Sequence, residues 1–232
     1  MSKSLAMIVG VGDGLSASLA RLFHSQGYQL VLAARDIDKI KNLAEATNAI
    51  SVRCDASRQD DVKNLFSQID GALRIVVYNP SARQRGPITE LDPEMVNNAI
   101  QVTAFGAFLV GQAATVKMLA QQPEDGTRGT ILFTGASAGV KGFPNSAPFA
   151  MGKFAQRGLA QSMARELHPQ GIHVAWINID GGIRNPGRTE PADNPDSMLN
   201  PDAIATEYLR IVQQDRSAWS NELVLRPWAE NF

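Results

Sequence analysis

Three glycines near the amino terminus, Gly10, Gly12 and Gly14, have the spacing of a nucleotide-binding turn. An apolar run of strand length precedes them, and Leu15 begins a stretch with apolar residues at helical spacing. Glycines let the chain turn tightly and approach a pyrophosphate, which the N-terminus of the next helix attracts. The pattern predicts cofactor binding by these glycines, Asp13 and Leu15; the alternative is an ordinary tight turn. Asp13 would have to point away from the phosphates.

The residue after the second apolar run suggests which dinucleotide is bound. This run covers residues 29–34, and Arg35 follows it. Proteins that prefer NAD usually carry an acidic residue here, which accepts from the ribose 2′-hydroxyl. An arginine can instead pair with a 2′-phosphate in forked geometry, so the sequence favours NADP(H). The alternative is that Arg35 is a solvated surface charge.

Apolar runs of strand length alternate with helical patterns along the chain. The alternation predicts the α/β class: one domain over 1–232 with a Rossmann-type, doubly wound parallel sheet of about seven strands and helices on both faces. Ser57 is a predicted N-cap, and Asp92 with Pro93 predicts a long helix reaching about Gln121. The Gly- and Pro-rich stretch near 181–200 is interpreted as a mobile substrate segment, or else an ordinary surface loop.

Composition and sequence patterns argue against several kinds of partner and site for this chain. The 232 residues carry a net charge of −1 without a basic run, so we expect no nucleic-acid partner. One cysteine, Cys54, and the lack of a signal-peptide pattern favour a cytoplasmic protein without an internal disulfide. The apolar stretches are too short or too interrupted for a bilayer, so no membrane partner is expected. The three histidines lack zinc spacing, so no metal site is predicted.

Several short motifs follow one another in a characteristic order. They are Gly10, Gly14 and Ser16; Cys54-Asp55; Asn79-Pro80-Ser81-Ala82; Lys153; and Asp180-Gly181-Gly182-Ile183. Through them the chain, from Ser4 to about Leu225, resembles the short-chain dehydrogenase/reductase family, with Ser16 where a third glycine is usual. The resemblance implies contacts with the cofactor at Asp55, Ala56, Asn79, Pro80, Ser81, Lys153, Gly181 and Ile183.

The resemblance is weakest at the catalytic positions of the family. Its members use a tyrosine that transfers a proton, a serine that orients the carbonyl, an asparagine that anchors a water, and a lysine. Here Phe149 stands in place of the tyrosine, Ala136 in place of the serine and Thr103 in place of the asparagine, whereas Lys153 is retained. Candidates for the missing proton transfer are Ser137, Ser146, Thr134 and a water bound to Lys153.

Two functions fit these residues. The first is an NADP(H)-dependent oxidoreductase with an atypical proton-transfer site, acting on a small carbonyl, alcohol or imine, because the cofactor supplies the hydride. The second is a catalytically inactive dinucleotide-binding protein with a regulatory or interaction role, or non-redox chemistry on the same fold. The resemblance also implies a homodimer or homotetramer formed through two long helices, at residues 93–121 and 149–167.

Overall fold

The computed structural model describes residues 4–229, so residues 1–3 and 230–232 of the predicted domain lie outside the described residues. Within the described range the main sheet has seven strands, and helices cover both of its faces. The predicted α/β class with a doubly wound, Rossmann-type parallel sheet is confirmed.

The strands of residues 4–229 belong to one large sheet and one small one. In chain order they are β1 (Leu5–Val9), β2 (Gln29–Ala34), β3 (Ile50–Arg53), β4 (Leu73–Tyr78), β5 (Gly129–Thr134), β6 (Ile172–Ile179), β7 (Gly182–Ile183), β8 (Met198–Leu199) and β9 (Glu222–Leu225). The large sheet has the order β3-β2-β1-β4-β5-β6-β9, and its neighbours pair in parallel. The short strands β7 and β8 pair with each other.

The α-helices of the same range alternate with these strands. They are α1 (Leu15–Ser25), α2 (Lys41–Thr47), α3 (Gln59–Ser67), α4 (Pro93–Ile100), α5 (Gly106–Ala120), α6 (Ala147–Leu167) and α7 (Pro201–Val212). A π-helical segment, Gln101–Phe105, joins α4 to α5. Helices α3, α5 and α6 pack on one face of the sheet, and α1, α2 and α7 pack on the other.

The first strand shows why two separate cores form. All five residues of β1 are buried, and successive side chains of a strand point to opposite faces. Leu5, Met7 and Val9 therefore enter the core under α3, α5 and α6, whereas Ala6 and Ile8 enter the core under α1 and α7. A strand that is apolar at every position is typical of a parallel sheet covered on both sides.

The order of the strands reverses between β1 and β4. From β1 the chain adds β2 and β3 on one side, then returns to place β4 on the other side of β1. Loops after neighbouring strands diverge at such a switch point and leave a crevice at the carboxyl ends of the strands. Because Val9 pairs with Tyr78, the glycine turn after β1 lies beside the Asn79 segment after β4.

The predicted helix starts are confirmed at one position and wrong at another. Pro93 is the first residue of α4, and the Asp92 carboxylate accepts a hydrogen bond from the Glu94 N–H at 2.9 Å, as expected for an N-cap. The N-cap of α3 is Arg58, not Ser57. The Ser57 hydroxyl instead donates to the Asp55 carboxylate at 2.7 Å, so that side chain is engaged elsewhere.

The helical run 93–120 corrects the expectation that the apolar stretches are all too short or too interrupted for a bilayer. Its 28 residues, with a best window of mean hydropathy 1.5, are long and apolar enough to cross a membrane by length and composition alone. In the structure one side of α5 is buried against the sheet, through Ala107, Val110 and Ala114. Phe108 and Val116 lie on its outer side, so both sides of this core helix are apolar.

Candidate active site

Three adjoining cavities lie at the carboxyl ends of the strands. The edge cavity, about 290 Å³, is lined by residues that follow β1, β2, β3 and β4, among them Arg35 and Asp55. The central cavity, about 570 Å³, is lined by the glycine turn and Lys153. The outer cavity, about 830 Å³, is lined by the loop between β5 and α6, including Ser137 and Ser146.

These cavities share parts of their walls, so they adjoin one another in one crevice. The edge and central cavities have in common Gly10, Val11, Asn79 and Ser81. The central and outer cavities have in common Arg83, Ala136, Phe149, Ile179, Gly181 and Arg188. A crevice at the switch point with this extended form suits a dinucleotide, with a second ligand at its outer end.

The glycine turn leaves room for a ligand in the central cavity. Gly10 has a φ of +81°, and a Cβ added to it would lie 2.6 Å from Cγ of Pro80, so glycine is required there. Gly12 also lines the central cavity, and a Cβ at this position would meet no protein atom within 4 Å. The turn therefore packs tightly against Pro80 on one side and is open on the other.

Ser16 fixes this turn to the neighbouring loop. Its hydroxyl donates to the Gly10 carbonyl at 3.1 Å and accepts from the Asn79 side-chain amide at 2.7 Å. The Asn79 amide also lies 3.3 Å from the Gly10 carbonyl. The serine in the position of the third glycine thus holds the turn after β1 against the loop after β4.

The start of α1 completes the surroundings expected for a pyrophosphate. Leu15 is the first residue of α1 and lines the central cavity, and the first turn of α1 contains no acidic residue. The helix N-terminus therefore presents its positive end without a competing carboxylate. Asp13 is exposed and lies outside the walls of the central and edge cavities; it lines a shallow cleft beside Arg21 and Arg184.

The edge cavity brings together seven of the predicted cofactor residues: Gly10, Arg35, Asp55, Ala56, Asn79, Pro80 and Ser81. Partial burial acts to raise the pKa of Asp55, but hydrogen bonds from Ser57 and the charges of Arg35 and Arg58 outweigh burial, so the pKa lies below its ordinary value. Asp55 therefore stays ionised near neutral pH and can accept a hydrogen bond from a ligand in this cavity.

Lys153 is a buried amine at the floor of the central cavity. It is 2% exposed, and its Nζ donates to the Thr134 carbonyl at 2.5 Å and to the Gln156 side chain at 3.3 Å. The Thr134 hydroxyl in turn bonds to the buried Tyr208 hydroxyl at 2.9 Å, which fixes the end of β5. Burial, followed by the charge of Arg83, lowers the pKa of Lys153 to about 7. The amine therefore gains and loses a proton close to neutral pH.

Gln156 is a site residue that the sequence reasoning missed. Its side chain is fully buried, and its oxygen also accepts from the Trp176 indole N–H at 3.4 Å. Its amide nitrogen donates to the Thr103 carbonyl at 3.3 Å, and the Thr103 hydroxyl accepts from the Ala82 N–H at 3.1 Å. Gln156 thereby links Lys153 to the position where the family places asparagine. A polar residue three positions after Lys153 on the same helix was the available signal.

The position of the missing tyrosine lies where the central and outer cavities meet. Phe149 and Ala136 are buried and line both cavities, and the Lys153 Nζ lies 6.0 Å from the centre of the Phe149 ring. The Arg83 guanidinium lies 4.1 Å above the same ring. Ser137 and Ser146 line the outer cavity, so both predicted proton-transfer serines face the space beyond Phe149.

The segment predicted to cover the crevice does line it. Gly181 and Ile183 line the central cavity, and pairing of β7 with β8 holds the two ends of the segment together. Between them, backbone hydrogen bonds of 3.0 and 2.9 Å join Asn185 and Arg188. The segment is thus a closed loop over the central and outer cavities, while its mobility stays a prediction.

Comparison with known proteins agrees with this architecture. Residues 4–190 match the family model described as short chain dehydrogenase. An uncharacterized oxidoreductase of Staphylococcus aureus strain N315 is 27% identical over 236 residues, covering 98% of both chains. A crystal structure of a short-chain dehydrogenase from Rhodopseudomonas palustris is 31% identical, covers 98% of this chain and 100% of that one, and has a TM-score of 0.82. A metagenomic short-chain oxidoreductase in complex with NADP is 24% identical, with 98% of each chain covered and a TM-score of 0.82.

The buried amine of Lys153 predicts a pH dependence of stability. Between the folded pKa of about 7 and the ordinary value of 10.5, the unfolded chain holds a proton that the folded chain has released. Stability therefore rises with pH across this window, and below it the full cost of the buried charge is present. We expect Lys153→Met to remove a rise of about 2 kcal/mol between pH 7 and 9, measured by urea unfolding.

Lys117→Met is the matched control: Lys117 lies on α5, its Nζ donates to the Ile69 carbonyl at 2.8 Å, and it lines none of the three cavities. It should keep the pH dependence of the wild type. Measurements stop at pH 9 because burial raises the pKa of Cys54 to about 12, and that thiol opposes the trend from pH 9 upward. Equal slopes for wild type and Lys153→Met would contradict the assignment.

Proposed function

The chain belongs to the short-chain dehydrogenase family, and we propose that it is an NADP(H)-dependent oxidoreductase acting on a small carbonyl, alcohol or imine substrate. The observation that carries the proposal is that the central and outer cavities adjoin at Phe149, whose ring centre lies 6.0 Å from Nζ of the buried Lys153. Hydride transfer needs two ligands held face to face, and this crevice offers a place for each.

The residues present fit a dinucleotide along the edge and central cavities. The open side of Gly12 and the N-terminus of α1 would receive the pyrophosphate, and Arg35 would pair with a 2′-phosphate. The ionised Asp55 would contact the adenine, with Lys153 at the nicotinamide ribose. The metagenomic neighbour is a complex with NADP, which supports the same choice of cofactor here.

When bound, the reduced nicotinamide supplies a hydride to the substrate carbon, and the substrate oxygen or nitrogen then requires a proton. Phe149 cannot supply it. Lys153 can hold that proton at Nζ, because a pKa of about 7 leaves the amine partly protonated at neutral pH. The Thr134 carbonyl and Gln156 orient the amine, and Ser137 and Ser146 offer hydroxyl groups to the substrate from the outer cavity.

One observation favours a second function, dinucleotide binding without turnover. The side chains where the family has tyrosine and serine, Phe149 and Ala136, carry no polar atom, although both line the junction of the two cavities. A positioned general acid typically contributes about 10² to 10⁴ in rate, so its loss slows a reductase strongly without abolishing it. Turnover measurements therefore distinguish the two functions.

We also propose that the chain forms a homodimer or homotetramer through the outer faces of α5 and α6. Four large apolar side chains are exposed on these helices and on the π-helical segment that precedes α5: Phe105, Phe108, Met151 and Phe154, at 40 to 51%. The rings of Phe105 and Phe108 stack with their centres 6.1 Å apart. Large apolar side chains exposed together on adjacent helices are typical of a subunit interface.

Removal of Arg35 should weaken NADPH binding selectively. Arg35→Ala removes a forked charge partner of the 2′-phosphate, so we expect the Kd for NADPH to rise roughly tenfold to a hundredfold, with little change for NADH. Fluorescence titration of both cofactors measures the effect. Lys39→Ala, which removes an exposed charge paired with Asp36 at 3.4 Å, is the control and should leave both affinities unchanged. Equal losses for NADPH and NADH in Arg35→Ala would contradict the phosphate role.

Restoring the missing side chains should raise the rate of reduction. In the double variant Ala136→Ser with Phe149→Tyr, a phenol would stand beside Lys153, and we expect NADPH-dependent reduction of a ketone panel to rise about 10² to 10⁴-fold. The single variant Ala136→Ser, which lacks the new acid, is the control and should gain far less. Absence of turnover in the wild type and in both variants, with NADPH still bound, would overturn the redox proposal in favour of binding alone.

The oligomeric proposal predicts a change of mass on substitution of the apolar patch. The double variant Phe105→Ser with Phe108→Ser should be monomeric by size exclusion with light scattering, while the wild type is a dimer or tetramer. Ile50→Ser, at a residue 48% exposed on the edge strand β3, is the control and should keep the wild-type mass. A monomeric wild type at micromolar concentration would rule the interface out.

A further inference from the structure

The outer cavity is strongly cationic. Four of the side chains that line it are Arg83, Arg85, Lys141 and Arg188, whereas Asp180 is the acidic side chain in its wall. Asp180 is neutralised by Arg226, whose Nη2 lies 3.1 Å from the Asp180 carboxylate. The wall therefore carries an excess of positive charge that its own acidic residue does not balance.

Two arginines that do not line the outer cavity have ion-pair partners, in contrast to the cations that line it. Arg157, on α6, pairs with Glu222 at 2.8 Å, and Arg184, on the covering segment, lies 3.9 Å from Glu190. Among the ion pairs within residues 4–229, none involves Arg83, Arg85, Lys141 or Arg188. The charges that face the cavity are thus the ones left available to a ligand.

Backbone contacts hold two of these arginines at the cavity. Arg83 and Arg85 lie two residues apart on the loop after β4. This loop is tied down on both sides of Arg83 and Arg85, by the Ala82 N–H bond to the Thr103 hydroxyl and by a Gly86 N–H bond of 3.1 Å to the Asn145 carbonyl. The second bond crosses from this loop to the loop before α6, so the backbone next to Arg85 is fixed beside the outer cavity.

The third arginine, Arg188, approaches from the covering segment. Its backbone pairs with Asn185, and its side chain lines both the central and the outer cavity. Arg83, Arg85 and Arg188 thus line one cavity from two different loops, and Arg83 and Arg188 line the central cavity as well. Like charges brought together in this way repel each other unless an anion lies between them.

We infer that the outer cavity is an anion subsite, and that the substrate of the proposed oxidoreductase carries a carboxylate or a phosphate held by Arg83, Arg85 and Arg188. This inference rests on the proposed function. Guanidinium groups bind both anions through paired N–H donors in forked geometry. The reacting carbonyl then lies toward Phe149, Ala136 and Lys153, where the outer cavity meets the central one.

The position of Arg85 separates this subsite from the cofactor. Arg85 and Lys141 line the outer cavity and not the central or edge cavities, where the dinucleotide phosphates would lie. Arg83 stacks on Phe149 and lines both the central and the outer cavity, whereas Arg85 lines the outer one. A short substrate with a carbonyl at one end and an anionic group at the other would extend from Phe149 toward Arg85.

Two pairs of probes test the subsite with the full-length protein saturated with NADPH. Pyruvate is compared with methyl pyruvate, and dihydroxyacetone phosphate with dihydroxyacetone, so that one arm reports a carboxylate and the other a phosphate. We expect kcat/KM for at least one anion to exceed that of its neutral partner tenfold or more. Arg85→Ala should raise the KM for that anion roughly tenfold to a hundredfold, leave the neutral partner unchanged, and leave NADPH affinity unchanged.

Arg85→Lys, which keeps the charge but not the fork, should recover part of the loss, and Lys39→Ala should behave as the wild type. Equal use of the neutral and anionic partners, or equal effects of Arg85→Ala on both, would overturn the inference while leaving the oxidoreductase proposal intact. If NADPH binds but nothing turns over, calorimetry of pyruvate and dihydroxyacetone phosphate still decides. Saturable binding that Arg85→Ala abolishes supports the subsite, and absence of binding overturns it.

Discussion

The parallel pairing of β1 with β4 is the constraint on which the rest of the site depends. Val9 opposite Tyr78 places the glycine turn and the Asn79 loop side by side at the reversal of strand order. The close approach of Gly10 to Pro80 and the bonds of Ser16 to both loops are consequences of that register. Because the strand ends are held by a sheet buried on both faces, the walls of the crevice are rigid where phosphate groups would bind.

The charge of Lys153 is controlled by what surrounds it. A buried amine without an anionic partner loses part of its affinity for a proton, since burial penalises the charged form. The Thr134 carbonyl and Gln156 accept hydrogen bonds from the amine but do not neutralise it. Loss of the tyrosine hydroxyl therefore leaves a site that still has a group titrating near neutral pH, and this group is the lysine itself.

Positive charge also accumulates at the outer end of the crevice. Arg83 lies over the Phe149 ring and lines the same cavities as Arg188, and its charge acts on Lys153 as well. An anionic substrate would reduce the repulsion among these groups when it binds. The charge of such a substrate, the charge of Arg83 and the proton on Lys153 would therefore affect one another electrostatically.

Local patterns in the sequence determined the glycine turn, the alternation of strands and helices, the Asp92 cap, and the pair Phe149 and Lys153, which are four residues apart on one helix. These features depend on residues close in the chain, so their spacing is sufficient to predict them. Tertiary structure decided the contacts of Gln156 with Thr103 and Trp176, and the placement of Arg83, Arg85 and Arg188 in the wall of one cavity. These features depend on packing that local spacing does not specify. Arg85 and Arg188, for example, are about a hundred positions apart in the sequence and line the same cavity because β4 and β6 end at the same edge of the sheet.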